Sequence, residues 1–373
     1  MERGSKRMIL QEQIYNKIVN MILINNIKGS INMKRLFIII MIYGCSYFIS
    51  AQNVITLPEI NKPRTIQIFD NQIFITENVK ISIYSAKTQK LIRSFGKRGE
   101  GPGEFKIMDN AEAGLGVQIS IKPDFILANS IGKITYFDRN GKYVKEVNTH
   151  RSRGPYGSNF IPVGKNFVAY DFVYEGQTGY VTISLFGPDL SKIKDLYKHP
   201  FFVQQGKKTN PEIWRPTVYY VSGNQIFLDL QNGAIEIYNS QANNERSIKP
   251  QYPLVKESAG RVKAYLDFLK SDPRFRDQFH LIKDSLEFPR YLPLIRFFNL
   301  DKNYIYVLTN EQKEGKNRIY ILDYNGKIIR SIWTPLQNKS PIEPYPYVIC
   351  NETIYQIVEN PDTDEWELHI RKL

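Results

Sequence analysis

Residues 303–327 read NYIYVLTNEQKEGKNRIYILDYNGK, and this stretch carries the pattern that decides the fold. Two runs rich in Ile, Tyr and Val are separated by a polar segment, and the second run is followed by Asn325-Gly326. Residues of this type favour strands. Asn-Gly is a strong hairpin signal, because both residues tolerate a positive φ. The stretch therefore predicts two antiparallel strands and a tight turn into a third.

The same plan recurs six times along the chain. Clear earlier copies occupy residues 72–84 and 124–142, and the second of them also contains Asn-Gly, at Asn140-Gly141. Related segments begin at Tyr180 and Ala234, and a final unit ends with the last residues of the chain. Units that recur at intervals of tens of residues indicate a radial or stacked array.

Six such units predict an all-β fold, a six-bladed β-propeller of four-stranded antiparallel blades. The sixth unit lacks an outer strand, and residues 54–57 can supply one. Joining the two ends of the chain in this way would close the ring and cover both terminal sheet edges. A β-sandwich is the alternative fold, but it would not need six similar units and this chain is long for one.

The N-terminal residues resemble a leader. Residues 33–35 read MKR, an apolar run follows over 36–49, and the small residue Ala51 stands at a plausible cleavage point. We therefore predict a signal peptide at 33–51, an upstream extension at 1–32 and the propeller at 52–373. The protein is then expected to be exported, to the periplasm or in association with an outer membrane.

Two processing routes are open for this leader. Cleavage after Ala51 would release a soluble protein. Alternatively, residues 42–45 (IYGC) resemble a bacterial lipobox, in which Cys45 would be lipidated and would anchor the protein to a membrane. An uncleaved anchor is disfavoured, because the apolar run is short against the roughly 20 residues that a membrane-spanning helix needs.

Strand alternation predicts which connections share a face. We name the strands of each blade A to D in chain order, with D outermost. Because successive strands are antiparallel, B–C turns and D–A connections emerge on one face, and A–B and C–D turns on the other. Long loops on a rigid scaffold usually carry function. The long D–A connections are predicted at 96–109, 148–160, 198–217, 253–296 and 334–344.

The charge of the chain is concentrated in these connections. The whole chain carries a formal net charge of +13, and removal of residues 1–51, with seven basic and two acidic residues, leaves +8. The five connections carry 0, +2, +3, +3 and 0 in chain order, which together equal that +8. Such a face would attract carboxylates, phosphates or acidic glycans. The alternative is that solvated lysines simply accumulate in loops.

The connection at 253–296 breaks the strand pattern. Apolar residues recur there at helical spacing, first around Tyr265 and again from Phe275, after Asp272-Pro273. We predict a small helical hairpin between blades 4 and 5, serving either as a plug or as the wall of a ligand site. The positions in the two stripes are Val262, Tyr265, Leu266 and Leu269, then Phe275, Phe279, Ile282 and Leu286.

Residues 94–107, SFGKRGEGPGEFKI, form the most distinctive motif. Four glycines permit tight backbone geometry, and Phe105 can anchor the loop in the core. The motif is neither a Walker loop nor a dinucleotide fingerprint. It resembles the blade junction of NHL-type propellers, and together with the leader it is similar to exported six-bladed propeller proteins of Bacteroidetes. The resemblance implies an exported propeller and transfers no catalytic residues.

Two sets of residues are candidates for a site. Aromatic residues beside arginines on long loops are typical of binding hot spots and of sugar stacking. Polar residues at the ends of successive B strands could meet at the axial mouth and bind Ca or Zn, as in lactonase-like propellers, although such residues are commonly turn formers. The ligand-binding candidates are Arg98, Arg151, Arg153, Tyr156, Trp214, Arg215, Arg290, Tyr291 and Tyr345. The metal candidates are Glu77, Asn129, Asp171, Asp229, Asn310 and Glu359.

These patterns favour a non-enzymatic binding module of the cell envelope, without a cofactor and without catalytic residues. The expected partner is an anionic small molecule, a glycan or an envelope protein. Nucleic acid is not expected, because the chain lacks an Arg-rich helix, zinc-ligand spacing and a Lys/Arg run. The alternative is a metal-assisted lactonase- or lyase-like hydrolase at the axial mouth, and a third possibility is a protein scaffold. A membrane contact is expected only through a lipid anchor.

Overall fold

The structure, a computed structural model, describes residues 53–106, 116–149, 159–176, 178–200, 208–211, 218–273, 275–341 and 343–373. Residues from 52 onward form one compact unit. Within the described ranges no helix is both long and apolar enough to cross a bilayer. The predicted leader, with Cys45, lies outside these ranges. The same is true of five candidate ligand residues, Arg151, Arg153, Tyr156, Trp214 and Arg215.

The described residues form six four-stranded antiparallel sheets, which are the blades of a propeller ring. Blades 1 to 5 each use four consecutive strands, from β2–β5 to β18–β21, and blade 6 has the order β1-β24-β23-β22. In chain order, the strands are β1 (Asn53–Thr56), β2 (Thr65–Phe69), β3 (Gln72–Thr76), β4 (Ile81–Ser85), β5 (Leu91–Phe95), β6 (Gln118–Ile121), β7 (Ile126–Ser130), β8 (Lys133–Phe137), β9 (Tyr143–Asn148), β10 (Ile161–Val163), β11 (Asn166–Glu175), β12 (Thr178–Phe186), β13 (Lys192–Pro200), β14 (Tyr219–Ser222), β15 (Gln225–Asp229), β16 (Ile235–Asn239), β17 (Asn244–Ile248), β18 (Phe297–Leu300), β19 (Ile305–Lys313), β20 (Lys316–Leu322), β21 (Ile328–Thr334), β22 (Tyr347–Cys350), β23 (Thr353–Asn360) and β24 (Glu365–Lys372).

The closing strand predicted from the sequence is confirmed. β1 pairs antiparallel with β24, as the outer strand of blade 6. Directly after β1, Leu57 is buried, and its backbone N–H donates to the Trp366 carbonyl oxygen at 2.7 Å. The Trp366 indole donates in turn to the Asn61 carbonyl oxygen at 2.5 Å. The two ends of the described chain are therefore joined within one sheet.

The inner strands of neighbouring blades surround a central channel. β10, β14, β18, β22 and β2 contact one another in that order around the ring. Polar side chains link inner strands elsewhere, since Gln67 donates to the Ile119 carbonyl oxygen and Lys122 to that of Pro162, both at 2.9 Å. Each A strand begins at the end of a D–A connection, so the first residues of these strands lie at the mouth of the channel on that face.

The hydrophobic core lies between the blades. The described residues form six apolar clusters, and each joins two neighbouring blades. In the cluster between blades 1 and 2, for example, Phe74 of β3 packs with Phe137 of β8 and with Phe105 from the intervening connection. Because each blade buries both of its faces in this way, its central strands read as nearly continuous apolar runs in the sequence.

The tight C–D turns are confirmed, and those of blades 2, 4 and 5 repeat one geometry. The Asp138 carboxylate accepts hydrogen bonds from the backbone N–H groups of Asn140 and Lys142, at 2.8 and 2.9 Å. Asp323 does the same for the turn that contains Gly326. Gly326 has a φ of +87°, as the Asn-Gly signal requires. These turns pack against the outer strand of the preceding blade, where Arg93 donates to the Asn140 carbonyl oxygen at 2.9 Å.

The helical insertion is confirmed only in its first half. Helix α1 spans Ala259–Ser271, begins after the N-cap Ser258 and buries Tyr265 and Leu269. The predicted second helix is wrong in length, because α2 covers only Phe279–Ile282, followed by a 3-10 turn at Lys283–Ser285. Asp272 caps the end of α1 instead of starting a second helix. α2 buries no residue, and a helix this short is marginal without packing.

The two faces of the ring differ in the way the alternation predicts. A–B and C–D turns are short throughout and make up one face, which we call the plain face. The opposite face, which we call the decorated face, carries the long D–A connections and the insertion. The sequence did not predict that some B–C hairpins also extend this face. The lengthened strands are β11 and β12 in blade 3, β19 and β20 in blade 5, and β23 and β24 in blade 6.

Candidate functional site

The glycine-rich junction between blades 1 and 2 is held by its own contacts. Phe105 is fully buried, and its backbone N–H donates to the Lys97 carbonyl oxygen at 2.8 Å. Lys133, on β8, donates to the Gly101 carbonyl oxygen at 2.9 Å and pairs with Glu146 at 3.0 Å. The motif therefore joins two blades, and Arg98 projects from it as an exposed residue.

Two other candidates for ligand contact lie together, just before β18. The Arg290 guanidinium lies 5.3 Å from the centre of the Tyr291 ring, and both residues are exposed. Tyr291 also forms an isolated antiparallel bridge with Lys256, which ties the two ends of the insertion. Tyr345 belongs to a different connection. Its ring packs 6.1 Å from that of Trp366, and burial raises the pKa of its phenol.

Two of the candidate metal ligands bind backbone groups of connections. Glu77 binds the connection that leads into its own blade, and Asn129 binds the connection that leads into the next blade. The Glu77 carboxylate accepts from the Asn61 and Lys62 backbone N–H groups, at 2.8 and 3.2 Å. The Asn129 amide both donates to and accepts from the Phe160 backbone, at 3.1 and 2.9 Å. These contacts give both side chains a structural role, because buried backbone groups need partners.

The remaining candidate metal ligands are also placed by local contacts. Asp171 and Asp229 accept from backbone N–H groups one and two residues later, at 3.0 and 2.7 Å. Asn310 donates to the Pro293 carbonyl oxygen at 2.8 Å, and Glu359 lies close enough to Tyr345 to raise its pKa further. Among the residues that the structure describes, no three His, Cys, Asp or Glu side chains are grouped to hold a metal ion. The metal site stays a prediction.

A group of residues that the sequence did not single out meets at the mouth of the channel on the decorated face. Tyr219 and Tyr220 open β14, and Tyr347 opens β22. Arg296 directly precedes β18, and Asn299 is the third residue of that strand. They come from three consecutive blades, 4, 5 and 6. We call Tyr220, Arg296, Asn299 and Tyr347 the mouth cluster.

Asn299 is the centre of the mouth cluster. Its amide nitrogen donates to the Tyr220 hydroxyl oxygen at 2.6 Å, which links blades 5 and 4. The residue is only 5% exposed, and its amide oxygen has no hydrogen-bond partner within the described part of the chain. A buried polar atom in this state costs free energy unless water or a ligand satisfies it.

The electrostatics of the mouth cluster keep both phenols protonated. Burial raises the pKa of Tyr220 to about 12, although the hydrogen bond from Asn299 opposes that shift. Burial also raises the pKa of Tyr347, Tyr220 raises it further, and Arg296 acts in the opposite direction. Arg296 is 8% exposed and donates to the Asn338 amide oxygen at 3.0 Å. At neutral pH the mouth therefore presents neutral hydroxyl groups beside a guanidinium.

The insertion borders this region. The Tyr265 hydroxyl of α1 donates to the Pro211 carbonyl oxygen at 3.1 Å, and Thr209 bridges to Leu286 beyond α2. The insertion is thus fixed to the connection that leads into β14. On its other side, an open depression of about 340 Å³ separates α1 from residues 339–343, in the connection that leads into β22. The insertion therefore extends between the connections that precede two strands of the mouth cluster.

The sequence signal for the mouth cluster is a shared position close to the long D–A connections, and it becomes visible only once the ring is known. Each member lies within three residues of a long D–A connection, and all but Asn299 lie at the start of an A strand: residues 218–221 read VYYV, 296–299 RFFN and 346–349 PYVI. Locally these are ordinary strand sequences. The convergence depends on the ring, which brings strand starts that are far apart in the chain to one place.

Comparisons with known proteins do not assign the chain to a family. No family model and no curated protein matches it. Among solved structures it is similar to the β-propeller domain of Cps50 (Swd1) from Myceliophteria thermophila, with 12% identity and a TM-score of 0.40, over 87% of this chain and 100% of that one. It is also similar to the computationally designed Ika8 protein, with 10% identity and a TM-score of 0.36, over 85% and 98% of the two chains. The six four-stranded blades of the chain itself define the propeller fold.

Proposed function

We propose that this propeller is a non-enzymatic binding module that captures an anionic small molecule, a glycan or an envelope protein on its decorated face. The observation that carries the proposal is the asymmetry of the ring. One face consists of short turns, and the other combines long connections, a helical insertion and a cluster of aromatic and polar side chains at the axis. Aromatic side chains with a few polar groups among them are typical of the walls of ligand sites.

The charge distribution supports an anionic partner. The connections of the decorated face account for the +8 that remains once residues 1–51 are removed. Positive potential at a concave mouth raises the local concentration of anions and speeds their association. Arg290, stacked on Tyr291, and Arg296 in the mouth cluster are described members of this set.

We also propose export to the cell envelope, on the basis of the leader-like residues 33–51. A relation to the NHL-like propeller proteins of Bacteroidetes belongs to the same proposal, and its support is the buried Phe105 in the glycine-rich junction. Mass spectrometry of the mature N-terminus tests the location. Gln52 at the N-terminus supports soluble export, lipidated Cys45 supports an anchor, and an intact leader contradicts both.

The binding proposal is tested with a panel of three probes: a uronic-acid oligosaccharide, inorganic phosphate and a short acidic peptide. We expect saturable binding of at least one probe, weakening as salt is added. Arg153→Ala combined with Arg215→Ala should lower that affinity about tenfold with little change in stability, because the two variants remove positive charge from predicted connections and leave the strands of the blades unchanged.

The control for this double variant removes equal charge from the plain face. Lys87→Ala combined with Lys327→Ala changes two exposed lysines of C–D turns. Its affinity should match that of the parent protein. The proposal fails if none of the probes binds, or if both double variants weaken binding equally, since net charge alone would then explain the effect.

The metal-assisted alternative has its own test. Chelation followed by metal analysis and a thermal melt should show no stoichiometric Ca or Zn and no change in melting temperature. A bound metal whose removal lowers the melting temperature would favour the hydrolase. In that case Asp171→Asn and Glu359→Gln should reduce metal content, and turnover of a lactone should be measured.

A further inference from the structure

The amide oxygen of Asn299 is buried and has no hydrogen-bond partner in the described part of the chain. Nearly all buried polar side-chain atoms have a partner, and an exception calls for an explanation. Here the amide already donates to Tyr220, so the oxygen remains as an acceptor for a group that enters from outside the described chain. Asn299 is the third of the four residues of the inner strand β18, and its contact with Tyr220 connects it to the decorated-face end of β14. The oxygen has almost no exposed surface of its own, so a donor that enters the mouth reaches it only by displacing a neighbouring side chain.

The neighbouring side chains define the chemistry of that donor. Tyr220 and Tyr347 are half-buried, neutral phenols that can donate or accept. Their rings offer apolar area beside their polar groups. Arg296 places a guanidinium at the same edge. A ligand that matches this set must carry several hydroxyl groups, each able to donate and accept, on a compact body with an apolar face.

We infer that the mouth cluster, where Asn299, Tyr220 and Tyr347 of three consecutive blades meet, binds the sugar ring of a saccharide. The inference rests on the proposed function and narrows it to one place and one class of ligand. Sugar hydroxyls would donate to the Asn299 amide oxygen and exchange hydrogen bonds with the two phenols. The face of the sugar ring would pack against a tyrosine ring. No covalent step takes place.

The geometry favours a saccharide over phosphate and over peptide. Inorganic phosphate at neutral pH carries hydroxyl donors but has no apolar face to pack against a tyrosine ring, so it matches only part of the cluster. The carboxylates of an acidic peptide are acceptors, so they suit the exposed Arg290 rather than the Asn299 oxygen, which needs a donor. A hydroxyl group can serve as donor and acceptor at once, which suits an amide beside a phenol.

The test titrates a neutral and a uronic-acid oligosaccharide into the full-length protein, with ligand-observed NMR and calorimetry as readouts. Asn299→Leu removes the acceptor together with the amide donor to Tyr220, and Tyr347→Phe removes one hydroxyl from an otherwise unchanged ring. Each should weaken binding about tenfold, the usual effect of losing one hydrogen bond in a closed site. Thermal melts confirm that each variant folds.

Tyr219→Phe is the matched control. Tyr219 neighbours Tyr220 on β14, but its hydroxyl is committed to the Asn159 carbonyl oxygen at 3.0 Å. Its loss should leave saccharide affinity within twofold of the parent value. Equal losses in Tyr219→Phe and Tyr347→Phe would overturn the inference, because the effect would then come from general loosening of the mouth.

The remaining outcomes separate this inference from the proposed function. Saccharide binding that depends on Asn299 but not on salt supports the inference and contradicts the anionic part of the proposed function. A different result would be anion binding that weakens in the Arg153→Ala, Arg215→Ala variant but is unchanged in Asn299→Leu and Tyr347→Phe. That result supports the proposed function and overturns the inference. Failure of both oligosaccharides to bind overturns the inference directly.

Discussion

The plain face and the decorated face of this propeller are built on different principles. The plain face repeats one turn, in which an Asx side chain binds two backbone N–H groups, as at Asp138, Asn239 and Asp323. The D–A connections of the decorated face differ from one another in length and composition, and one of them contains a helix.

The difference indicates that the plain face mainly contributes stability and the decorated face mainly contributes binding specificity. A repeated turn that packs on the preceding blade stabilises the ring in the same way in blades 2, 4 and 5. Connections that differ from blade to blade create a surface without symmetry, which a single ligand can recognise. The division is incomplete, because Phe105 and Tyr265 fix decorated-face segments to the core and to each other.

The largest expected effect comes from the decorated face. Phe105→Ala empties a fully buried site between blades 1 and 2 and should lower the free energy of unfolding by about 3–5 kcal/mol. Urea denaturation measures the change. Phe105→Leu, which fills most of the volume, should lose less than half as much. A loss below about 1 kcal/mol in Phe105→Ala would mean that the junction does not hold the two blades together.

The next effect tests the plain face. A Cβ added at Gly326 would lie 2.7 Å from Ile248 Cγ2 at a φ of +87°, so Gly326→Ala should cost about 2–3 kcal/mol. Gly223, also in a plain-face turn, has a φ of +58° and open space around its Cβ. Gly223→Ala should therefore cost only about 1 kcal/mol, from the backbone alone. Equal losses in thermal melts would show that the turn does not pack on the preceding blade.

A smaller effect is expected at the tether of the insertion. Tyr265→Phe removes the hydrogen bond to the Pro211 carbonyl oxygen and should cost about 1 kcal/mol. Hydrogen exchange should speed up in α1 more than in the blades, because the lost contact is local. Uniformly faster exchange over the whole ring would contradict a local tether, and Tyr304→Phe serves as a control outside the insertion.

The smallest effect concerns acidity at the glycine-rich junction. A hydrogen bond from Lys97, and next one from the Gly101 backbone, hold the pKa of Glu104 below its usual 4.5. A carboxyl group whose pKa is lower in the folded state stabilises the protein above its unfolded-state pKa, and this contribution fades as pH falls through the folded-state value. Glu104→Gln should therefore make stability less dependent on pH below about 4.5. A parallel pH profile for parent and variant would contradict the assignment.

Most of the fold could be predicted because its signals are local. The Asn-Gly turns, the paired apolar runs and the spare strand at residues 54–57 each express their structure within a few residues, and the structure confirms them. Apolar periodicity failed for the second helix, since positions such as Phe279 and Ile282 follow helical spacing without a surface on which to pack. Periodicity indicates that a segment can form a helix, but burial decides its length.

The candidate site was harder to predict than the fold. The sequence predicts that polar residues at strand ends are metal ligands. In the structure, the Glu77 and Asn129 side chains bind neighbouring backbone groups. The sequence does not predict the mouth cluster, because Asn299 and Tyr347 lie in ordinary strand sequence. They meet Tyr220 only because the ring closes. Contacts between residues this far apart in the chain leave no local periodicity to detect.

Hydrogen exchange of the full-length protein, with and without saturating uronic-acid oligosaccharide, tests the central claim most directly. We expect the oligosaccharide to slow exchange at the starts of β14, β18 and β22 and to leave the rates in the C–D turns at 138–142 and 323–327 unchanged. Protection confined to those turns or to the outer strands, with the channel mouth unaffected, would contradict it.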